Sequence, residues 1–209
     1  MPNKSSIMRL SRYKNALLKL KSLNFVRVFS DNLADAAGVT AAQVRKDFSM
    51  FGVTGNRRGG YQVDELIENM NKILGKDKVR DFIVVGIGHI GTALLNYRAF
   101  KKSGIRIVAG FDIDVAKQNP KADVPVLPLE KLPEFVKKNN IEYAIITVPD
   151  FATQQVFELM LTAGIKGFLN FAPVRLRCPE GRVVNNINIE TELENIIYFV
   201  NVTGTSKEQ

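Results

Sequence analysis

Phe82–Asp112 reads FIVVGIGHIGTALLNYRAFKKSGIRIVAGFD, and this stretch decides the fold. It opens with an apolar run that suits a strand buried on both faces, and continues directly into glycines at GxGxxG spacing: Gly86, Gly88 and Gly91. A helical pattern follows, and a second apolar segment ends at Asp112. Strand, glycine turn, helix and strand in this order predict a βαβ unit.

Each glycine of this motif has a separate physical role. Gly86 permits the tight turn, Gly88 lets the backbone approach a pyrophosphate, and Gly91 lets the helix pack closely on the strand. The Asp112 carboxylate can accept a hydrogen bond from a ribose 2′-hydroxyl and would repel a 2′-phosphate. The motif therefore predicts a site for NAD(H) rather than NADP(H). The alternative is a tight turn in a Rossmann-like fold that holds coenzyme A or no ligand.

Length and composition are those of an ordinary globular protein of one or two domains, with 209 residues, 45% of them apolar. No apolar run reaches the roughly 18 residues of a membrane span, and the first residues do not resemble a signal peptide. We therefore expect a cytoplasmic protein without a membrane partner. The single cysteine, Cys178, has no internal disulfide partner, and we interpret it as a plain thiol rather than a redox switch.

Charge is distributed unevenly along the chain. Residues 1–80 hold 15 Lys and Arg against 7 Asp and Glu, whereas residues 81–209 hold 14 of each. The whole net charge of +8 therefore lies in the N-terminal part. Such asymmetry favours an acidic polymer as the partner of that part, although small helical domains are often basic without one.

Three helices are predicted in the N-terminal part. Residues 7–23 have apolar residues at helical spacing and basic residues on the other face. Ser30 is expected to cap a short second helix that ends at Gly38. Thr40 is expected to cap the third, with Gln43 at the reciprocal position of a capping box. Helix, short glycine turn and helix predict a helix-turn-helix.

The third helix has the features of a recognition helix. Val44, Phe48 and Phe51 form its buried stripe, and Gln43 and Lys46 can reach base edges while Arg45 is better placed for phosphate. The segment GNRRGGYQV, residues 55–63, predicts a hairpin wing with arginines aimed at phosphate or minor groove. The predicted contacts to double-stranded DNA are Thr40, Ala42, Gln43, Arg45, Lys46, Ser49, Arg57, Arg58 and Tyr61.

Beyond a linking helix predicted at residues 64–78, strands and helices alternate. Residues 128–140 and 152–164 are predicted as helices, and residues 142–148 and 166–171 as strands. This alternation predicts a doubly wound parallel sheet, with ligands bound outside the carboxyl ends of its strands. The predicted cofactor contacts are Gly86, Gly88, His89, Ile90, Gly91, Asp112, Thr147, Val148, Pro149, Asn170, Phe171 and Ala172.

The final predicted helix, INIETELENIIYFV, residues 187–200, has one apolar face and little chain left to cover it. A second copy of the protein is a plausible partner, and helix-turn-helix proteins that recognise palindromic sites need a dimer. The expected architecture is α/β: a winged helix-turn-helix domain at 1–78, a Rossmann domain at 79–187 and a C-terminal dimerisation helix and tail at 188–209.

Several motifs in one order resemble the Rex family of redox-sensing transcriptional repressors along nearly the whole chain. They are RLSRY at 9–13, VTAAQVRKDFSMFG at 39–52, VGIGHIGTALLNY at 85–97, AIITVP at 144–149 and LNFAPVRL at 169–176. The resemblance implies a homodimer whose C-terminal helices are exchanged between protomers. It also implies that NADH and NAD⁺ compete for the Rossmann site, and that NADH releases the dimer from its operator.

The chain departs from the family at the positions that couple its halves. The family uses an arginine of the first helix, a tyrosine after the glycine loop and an aspartate before the C-terminal helix, and the matching positions here are Asn15, Tyr97 and Asn188. The charge pair is therefore absent. The loop NPKADVPV at 119–126 is also shorter and poorer in glycine than usual, and the wing reads RRGG where the family usually has RGxG.

The sequence has features of two other classes of function. An NAD-dependent oxidoreductase needs a proton relay, but His89 lies inside the glycine loop, and the YxxxK pair Tyr97 and Lys101 falls on the first Rossmann helix. We therefore expect no catalytic residue and no metal site. A coenzyme A sensor is the other alternative, and titration with each ligand separates it from an NAD(H) sensor.

Overall fold

Residues 4–54 and 59–205 are the part of the chain that this computed structural model describes. The chain divides into two units, Met1–Val79 and Arg80–Gln209. Within the described ranges no helix combines the length and apolar character needed to cross a membrane.

The first unit contains helices packed around one core. Its helices are α1 (Lys4–Ser22), α2 (Ser30–Ala37), α3 (Ala41–Met50) and α4 (Val63–Ile73), and its short strands are β1 (Arg27–Val28) and β2 (Tyr61–Gln62). Leu10, Tyr13 and Leu17 of α1 are fully buried, as the spacing predicted. Leu23 was expected to continue that stripe, but α1 ends one residue earlier and Leu23 is 60% exposed.

The caps of α2 and α3 differ in part from those predicted. Gly38 ends α2 in the left-handed conformation, with φ 67°, as expected. Ser30, however, is the first helical residue and not the cap: the N-cap is Phe29, whose backbone N–H donates to Oδ1 of Asn32 over 2.9 Å. Thr40 caps α3 as predicted, because its hydroxyl accepts from the Gln43 N–H at 3.2 Å.

The predicted wing at residues 55–63 lies partly outside the described residues, and its residues Tyr61 and Gln62 form β2. β2 pairs antiparallel with β1, with Val28 opposite Tyr61. Gly60 makes this approach possible, since a Cβ there would lie 2.7 Å from the Val28 carbonyl oxygen. The hairpin itself depends on residues 55–58, which lie outside the described residues, and it stays a prediction. The linking helix α4 also ends at Ile73, earlier than predicted.

The second unit is built on a parallel sheet. Its strands are β3 (Arg80–Val85), β4 (Ile105–Asp112), β5 (Val126–Pro128), β6 (Tyr143–Ile146), β7 (Gly167–Asn170) and β8 (Val183–Asn186). They lie in the order β5-β4-β3-β6-β7-β8, and all neighbouring pairs are parallel. The chain winds outward from β3 and then returns to β6, so the switch point lies between these two strands. The predicted α/β class and doubly wound parallel sheet are confirmed.

Helices and apolar side chains cover both faces of this sheet. The helices that pack on it are α5 (His89–Leu95), α6 (Leu132–Asn139) and α7 (Asp150–Ala163), and 3₁₀ turns lie at Arg98–Ser103, Val115–Lys117 and Leu129–Lys131. A further helix, α8 (Ile189–Thr205), follows β8 and does not belong to these core clusters. Ile83 and Val85 belong to one core cluster and Val84 to another, because alternate residues of β3 point to opposite faces. This explains why the strand reads as a continuous apolar run.

Two strands of the sheet were not predicted from the sequence. β5 has only three residues, and β8 reads VVNN, so neither has the apolar run that indicated β6. The helix predicted at residues 128–140 begins as a 3₁₀ turn, and α6 starts at Leu132 with Pro133 in its first turn.

Helix α8 is exposed along its described length. Every residue from Asn188 to Thr203 is exposed, including Ile196 and Phe199, whose exposed fractions are 60% and 63%. An apolar helix that the described residues leave uncovered marks an interaction surface.

Candidate functional sites

The glycine loop between β3 and α5 is shaped by two close backbone contacts. Gly86 has φ 92°, and a Cβ there would lie 2.9 Å from the carbonyl oxygen of Thr147. At Gly91 a Cβ would lie only 2.0 Å from the Gly86 carbonyl oxygen. The turn and the helix packing therefore require these two glycines, whatever binds nearby.

Gly88 is different, because no contact with the described residues requires it to be a glycine. Its φ is −84°, an ordinary value for any residue, and a Cβ there would meet no atom within 4 Å. A glycine without a conformational or packing reason leaves the backbone open to something that approaches from outside.

Gly88 faces a cleft of about 930 Å³ at the carboxyl ends of the strands. A volume of this size lies in the range of small-molecule and cofactor sites. Most predicted cofactor residues line it: Gly86, Gly88, His89, Ile90, Asp112, Thr147, Val148, Pro149 and Phe171. Sequence reasoning missed further lining residues, namely Ile113, Asp114, Lys117, Leu129, Glu130, Phe151, Ala152 and Gln155. Several of them directly follow Asp112 or Pro149, so the ends of the same strands could have indicated them.

Three of the predicted cofactor residues do not line the cleft: Gly91, which packs against the Gly86 carbonyl, Asn170 and Ala172. Asn170 is fully buried and donates from Nδ2 to the Val174 carbonyl at 2.7 Å and to Oδ1 of Asn186 at 2.9 Å. Its own Oδ1 accepts from the Ala172 N–H at 3.0 Å. Asn170 and Ala172 thus brace the loop after β7, and the structure gives them no surface in the cleft.

Asp112 has structural partners in addition to its place in the cleft. Its Oδ2 accepts from the Ile87 N–H at 2.6 Å, and its Oδ1 accepts from the Asp114 N–H at 2.8 Å. The Lys117 ammonium lies 3.4 Å from Oδ2. The carboxylate therefore ties the glycine loop to the end of β4 and carries a positive neighbour that the sequence argument did not include.

Thr147 performs a similar task from β6. Its hydroxyl donates to the carbonyl oxygen of Gly86 at 2.6 Å, which holds the ends of β3 and β6 together at the switch point. The floor of the cleft is therefore set by hydrogen bonds within the chain.

In the first unit, α3 presents small and basic residues to solvent. Ala42, Arg45, Lys46 and Ser49 are exposed, whereas Val44 and Phe48 are buried. Tyr61, also predicted to contact DNA, is half-buried, with its ring packed edge-on against Phe48 at 5.1 Å between centroids. Arg57 and Arg58 lie outside the described residues.

A buried charge network anchors α3, and it was not predicted. The Asp47 carboxylate has no exposed side-chain surface and forms a two-pronged pair with Arg9 of α1, at 2.6 Å from Nε and 2.7 Å from Nη2. The Tyr13 hydroxyl donates to it at 2.8 Å, and so does the Gln43 side-chain amide, also at 2.8 Å. Gln43 therefore does not complete the predicted capping box with Thr40, because Asp47 is a charged acceptor and binds its amide.

This network shifts the pKa values of its members. Hydrogen bonds from the Arg9 guanidinium hold the pKa of Asp47 below its usual range, although burial acts in the opposite direction. Burial, followed by the bond to Asp47, raises the pKa of Tyr13 to about 12. At neutral pH the network is therefore a carboxylate surrounded by three donors.

The residues at the family's coupling positions are all exposed. Asn15 lies on α1, and Tyr97 precedes the 3₁₀ turn at Arg98–Ser103, with its ring against Phe100. Asn188 caps α8, because its Oδ1 accepts from the Thr191 N–H at 3.1 Å.

Other candidate chemistry is sparse. In residues 4–54 and 59–205 no group of three or more His, Cys, Asp or Glu side chains is arranged to hold a metal ion. Cys178 is half-buried against the core of the second unit, where burial raises the pKa of its thiol.

A helix-turn-helix unit joined to a Rossmann unit is the architecture of a ligand-responsive DNA-binding regulator. Two family profiles match the corresponding parts of the chain. Residues 2–49 match a family described as "Putative DNA-binding protein N-terminus", and residues 77–174 match one described as "CoA binding domain".

Relatives with the same name match nearly the whole chain. A redox-sensing transcriptional repressor Rex of Desulforamulus reducens is 40% identical over 195 residues, 93% of each chain. The Rex repressor of Carboxydothermus hydrogenoformans is 41% identical over 197 residues, 94% of this chain and 95% of that one. The crystal structure of RSP in complex with NAD⁺ and operator DNA matches with a TM-score of 0.92 and 34% identity, covering 100% of this chain and 96% of that one. This chain belongs to the Rex family of redox-sensing transcriptional repressors.

Proposed function

We propose that this chain is a DNA-binding transcriptional repressor that senses the ratio of NADH to NAD⁺ through its Rossmann unit. The observation that carries the proposal is Gly88, a glycine that the fold does not need, placed over a large cleft at the switch point of the sheet. Family membership supports the same conclusion, since relatives carry the repressor name and solved RSP structures contain NAD⁺ with operator DNA and, separately, NADH.

The cleft has the features that a dinucleotide requires. In our proposal the loop from Gly86 to Gly91, including His89 and Ile90, holds the pyrophosphate, and the Asp112 carboxylate accepts from the adenosine ribose. Asp112 already accepts from two backbone N–H groups and from the Lys117 ammonium, but two carboxylate oxygens have about four acceptor positions, so one position for a ribose hydroxyl remains. The ends of β6 and β7, with Thr147, Val148, Pro149 and Phe171, form the rest of the site.

DNA binding is assigned to the first unit. Exposed Lys46 and Arg45 on a helix with small neighbours fit a helix that enters the major groove, and the basic charge of residues 1–80 fits a phosphate backbone. Thr40, Ala42, Gln43 and Ser49 complete the proposed reading face, and Arg57 and Arg58 its wing. Tyr61 is the weakest member of the proposed set, because its ring packs against Phe48.

We further propose that the protein acts as a homodimer, with residues 188–209 as the dimerisation segment, 1–78 as the DNA-binding domain and 79–187 as the NAD(H) domain. The exposed apolar length of α8 supports this arrangement, because a second copy would cover it. A symmetric dimer also fits an operator with two half-sites. As a chromosomal repressor, the protein would act in the cytoplasm.

The response to NADH is proposed to be weaker than is usual in the family. A ligand shifts an equilibrium only through interactions that differ between its states, and a charge-assisted pair can supply roughly 1.5 to 3 kcal/mol of that difference. Asn15 and Asn188 are neutral, and Asn188 already caps α8. Coupling through this pair with Tyr97 is therefore reduced to a neutral hydrogen bond at most.

One assay tests ligand, DNA and coupling together. Operator duplex would be titrated with the full chain in the presence of NAD⁺, NADH or coenzyme A, added separately, and binding followed by fluorescence anisotropy. We expect DNA binding that NADH weakens and coenzyme A leaves unchanged. Release by coenzyme A and not by NADH would instead establish the coenzyme A sensor, the alternative that the description "CoA binding domain" names. Absence of operator binding would contradict the repressor function.

We propose no catalytic role for this chain. The relatives are named transcriptional repressors. The positions of His89, Tyr97 and Lys101 in the sequence do not match the proton relay that an NAD-dependent oxidoreductase needs. Oxidation of NADH in the presence of small carbonyl substrates, removed by changing Tyr97 to Phe, would contradict this part of the proposal.

A further inference from the structure

Asp47 lies on the recognition helix but cannot contact DNA, because its carboxylate is fully buried. One of its four hydrogen bonds nevertheless goes to Gln43, one turn earlier on the same helix, through Nε2 at 2.8 Å. Gln43 is the third residue of α3, in the first turn, and is partly exposed. Residues in this turn of a recognition helix contact base edges.

The bond to Asp47 determines which end of the Gln43 amide faces outward. A carboxylate only accepts hydrogen bonds, so the amide must turn its nitrogen toward Asp47. The carbonyl oxygen Oε1 then lies on the side of the amide away from Asp47. Without such a neighbour a glutamine side chain is free to present either its donor or its acceptor end.

The carboxylate is itself held in place. Arg9 grips both of its oxygens and Tyr13 donates to one of them, so Asp47 cannot rotate without losing three bonds to α1. The orientation of Gln43 is thereby set by a scaffold helix, and the acceptor it presents is fixed before DNA arrives.

We propose that Asp47 is a positioning residue for base recognition: it directs Oε1 of Gln43 toward the DNA, so that Gln43 selects a base with an exocyclic amino group in the major groove. Adenine N6 and cytosine N4 are the bases' amino donors in that groove, whereas guanine O6 and thymine O4 are acceptors. The inference rests on the proposed function, because it assumes that α3 reads DNA.

The test compares base preferences of the natural full chain with those of three variants. A pool of random duplexes would be selected with each protein and sequenced: Gln43→Ala removes the reader, Asp47→Asn removes the fixed acceptor, and Tyr13→Phe is the matched control. Tyr13→Phe also deletes one hydrogen bond to Asp47, but it leaves the bond to Gln43 intact. Circular dichroism would establish that each variant is folded.

We expect the change in base preference to be confined to one position of each half-site. The natural chain selects adenine or cytosine at one position of each half-site, and Gln43→Ala loses that preference. Asp47→Asn should weaken discrimination at the same position by about 5-fold to 10-fold and spare the other positions, and Tyr13→Phe should leave the preference as it was. Adding Asp47→Asn to Gln43→Ala should cause no further loss at that position.

The possible outcomes distinguish a failure of the proposed function from a failure of this inference. Selection of no sequence by the natural chain removes the proposed function. Selection by the natural chain with an unchanged preference in Asp47→Asn, or with an equal loss at every position, removes only the inference. If Asp47→Asn does not fold, the natural chain is tested with modified duplexes. Purine replaces the selected adenine, or 2-pyrimidinone replaces the selected cytosine, and each of these bases lacks the amino group. Binding should then weaken by about 5-fold. Unchanged binding to those duplexes overturns the proposal.

Discussion

Replacing Gly88 by alanine should show whether a glycine is needed at this position for ligand binding or for folding. The new methyl group meets no atom within 4 Å, and φ of −84° is allowed for alanine. Loss of glycine's freedom in the unfolded chain should then stabilise the ligand-free protein by about 0.4 to 1 kcal/mol, or leave it unchanged. Since about 1 kcal/mol corresponds to roughly 4 °C for a unit of this size, Tm should rise by up to about 4 °C.

Gly91→Ala is the matched control in the same loop. Its methyl group would lie 2.0 Å from the Gly86 carbonyl oxygen, well inside any real contact, so the loop or α5 must move. Overpacking of this kind costs about 1 to 3 kcal/mol or more, and it should lower Tm by about 4 to 12 °C. The two substitutions add the same group three residues apart and should change stability in opposite directions.

Ligand binding should distinguish the two variants in another way. In Gly88→Ala the methyl group occupies the space where the backbone must approach the pyrophosphate, so NADH binding measured by calorimetry should weaken at least about 10-fold in a fully folded protein. Scanning calorimetry without ligand supplies the stability. A Gly88→Ala protein that melts like Gly91→Ala, or binds NADH as tightly as the natural chain, would refute the reasoning.

Four further results are expected. Lys46→Ala should weaken operator binding about 10-fold or more in an anisotropy titration, since a good base contact is worth roughly 1 to 3 kcal/mol; unchanged binding would remove Lys46 from the reading face. NADPH should bind more weakly than NADH by calorimetry, and equal affinities would contradict the role of Asp112. The double variant Asn15→Arg, Asn188→Asp should release the operator more steeply as NADH is added, and α8 should keep its cap because Asp caps a helix as well as Asn does. Full release of the natural chain at low micromolar NADH, with no gain in the double variant, would show that this pair does not contribute to coupling. The pKa of Asp47 is lower in the folded state than in the unfolded state, so its ionised carboxylate stabilises the fold at pH values above the unfolded-state pKa. That stabilisation is lost as the pH falls through the folded-state pKa. The Tm should therefore decline below about pH 4 in the natural chain, and Asp47→Asn should lack this decline.

Local pattern was sufficient for much of the fold because the determining signals lie within a few residues of each other. The glycine spacing, the apolar run of β3 and the acid at the end of β4 all belong to one continuous βαβ unit. The Thr40 cap and the Gly38 terminator involve contacts of three or four residues. The sequence therefore determined the two kinds of domain and the part of the cleft that the glycine loop, Asp112 and residues 147–149 form. Rex-like motifs spread along the chain indicated the family.

Contacts between distant segments were decided only by the tertiary structure. Asp47 looks from the sequence like one more polar residue on a helix, and its burial depends on Arg9 and Tyr13, 38 and 34 residues away. The pairing of β2 with β1 was decided in the same way. Spacing along the chain predicts which side chains share a face of one element, but only the tertiary packing decides which faces meet. A charged side chain such as Asp47 can be buried only where partners from another element surround it, and those partners are not visible in the local sequence.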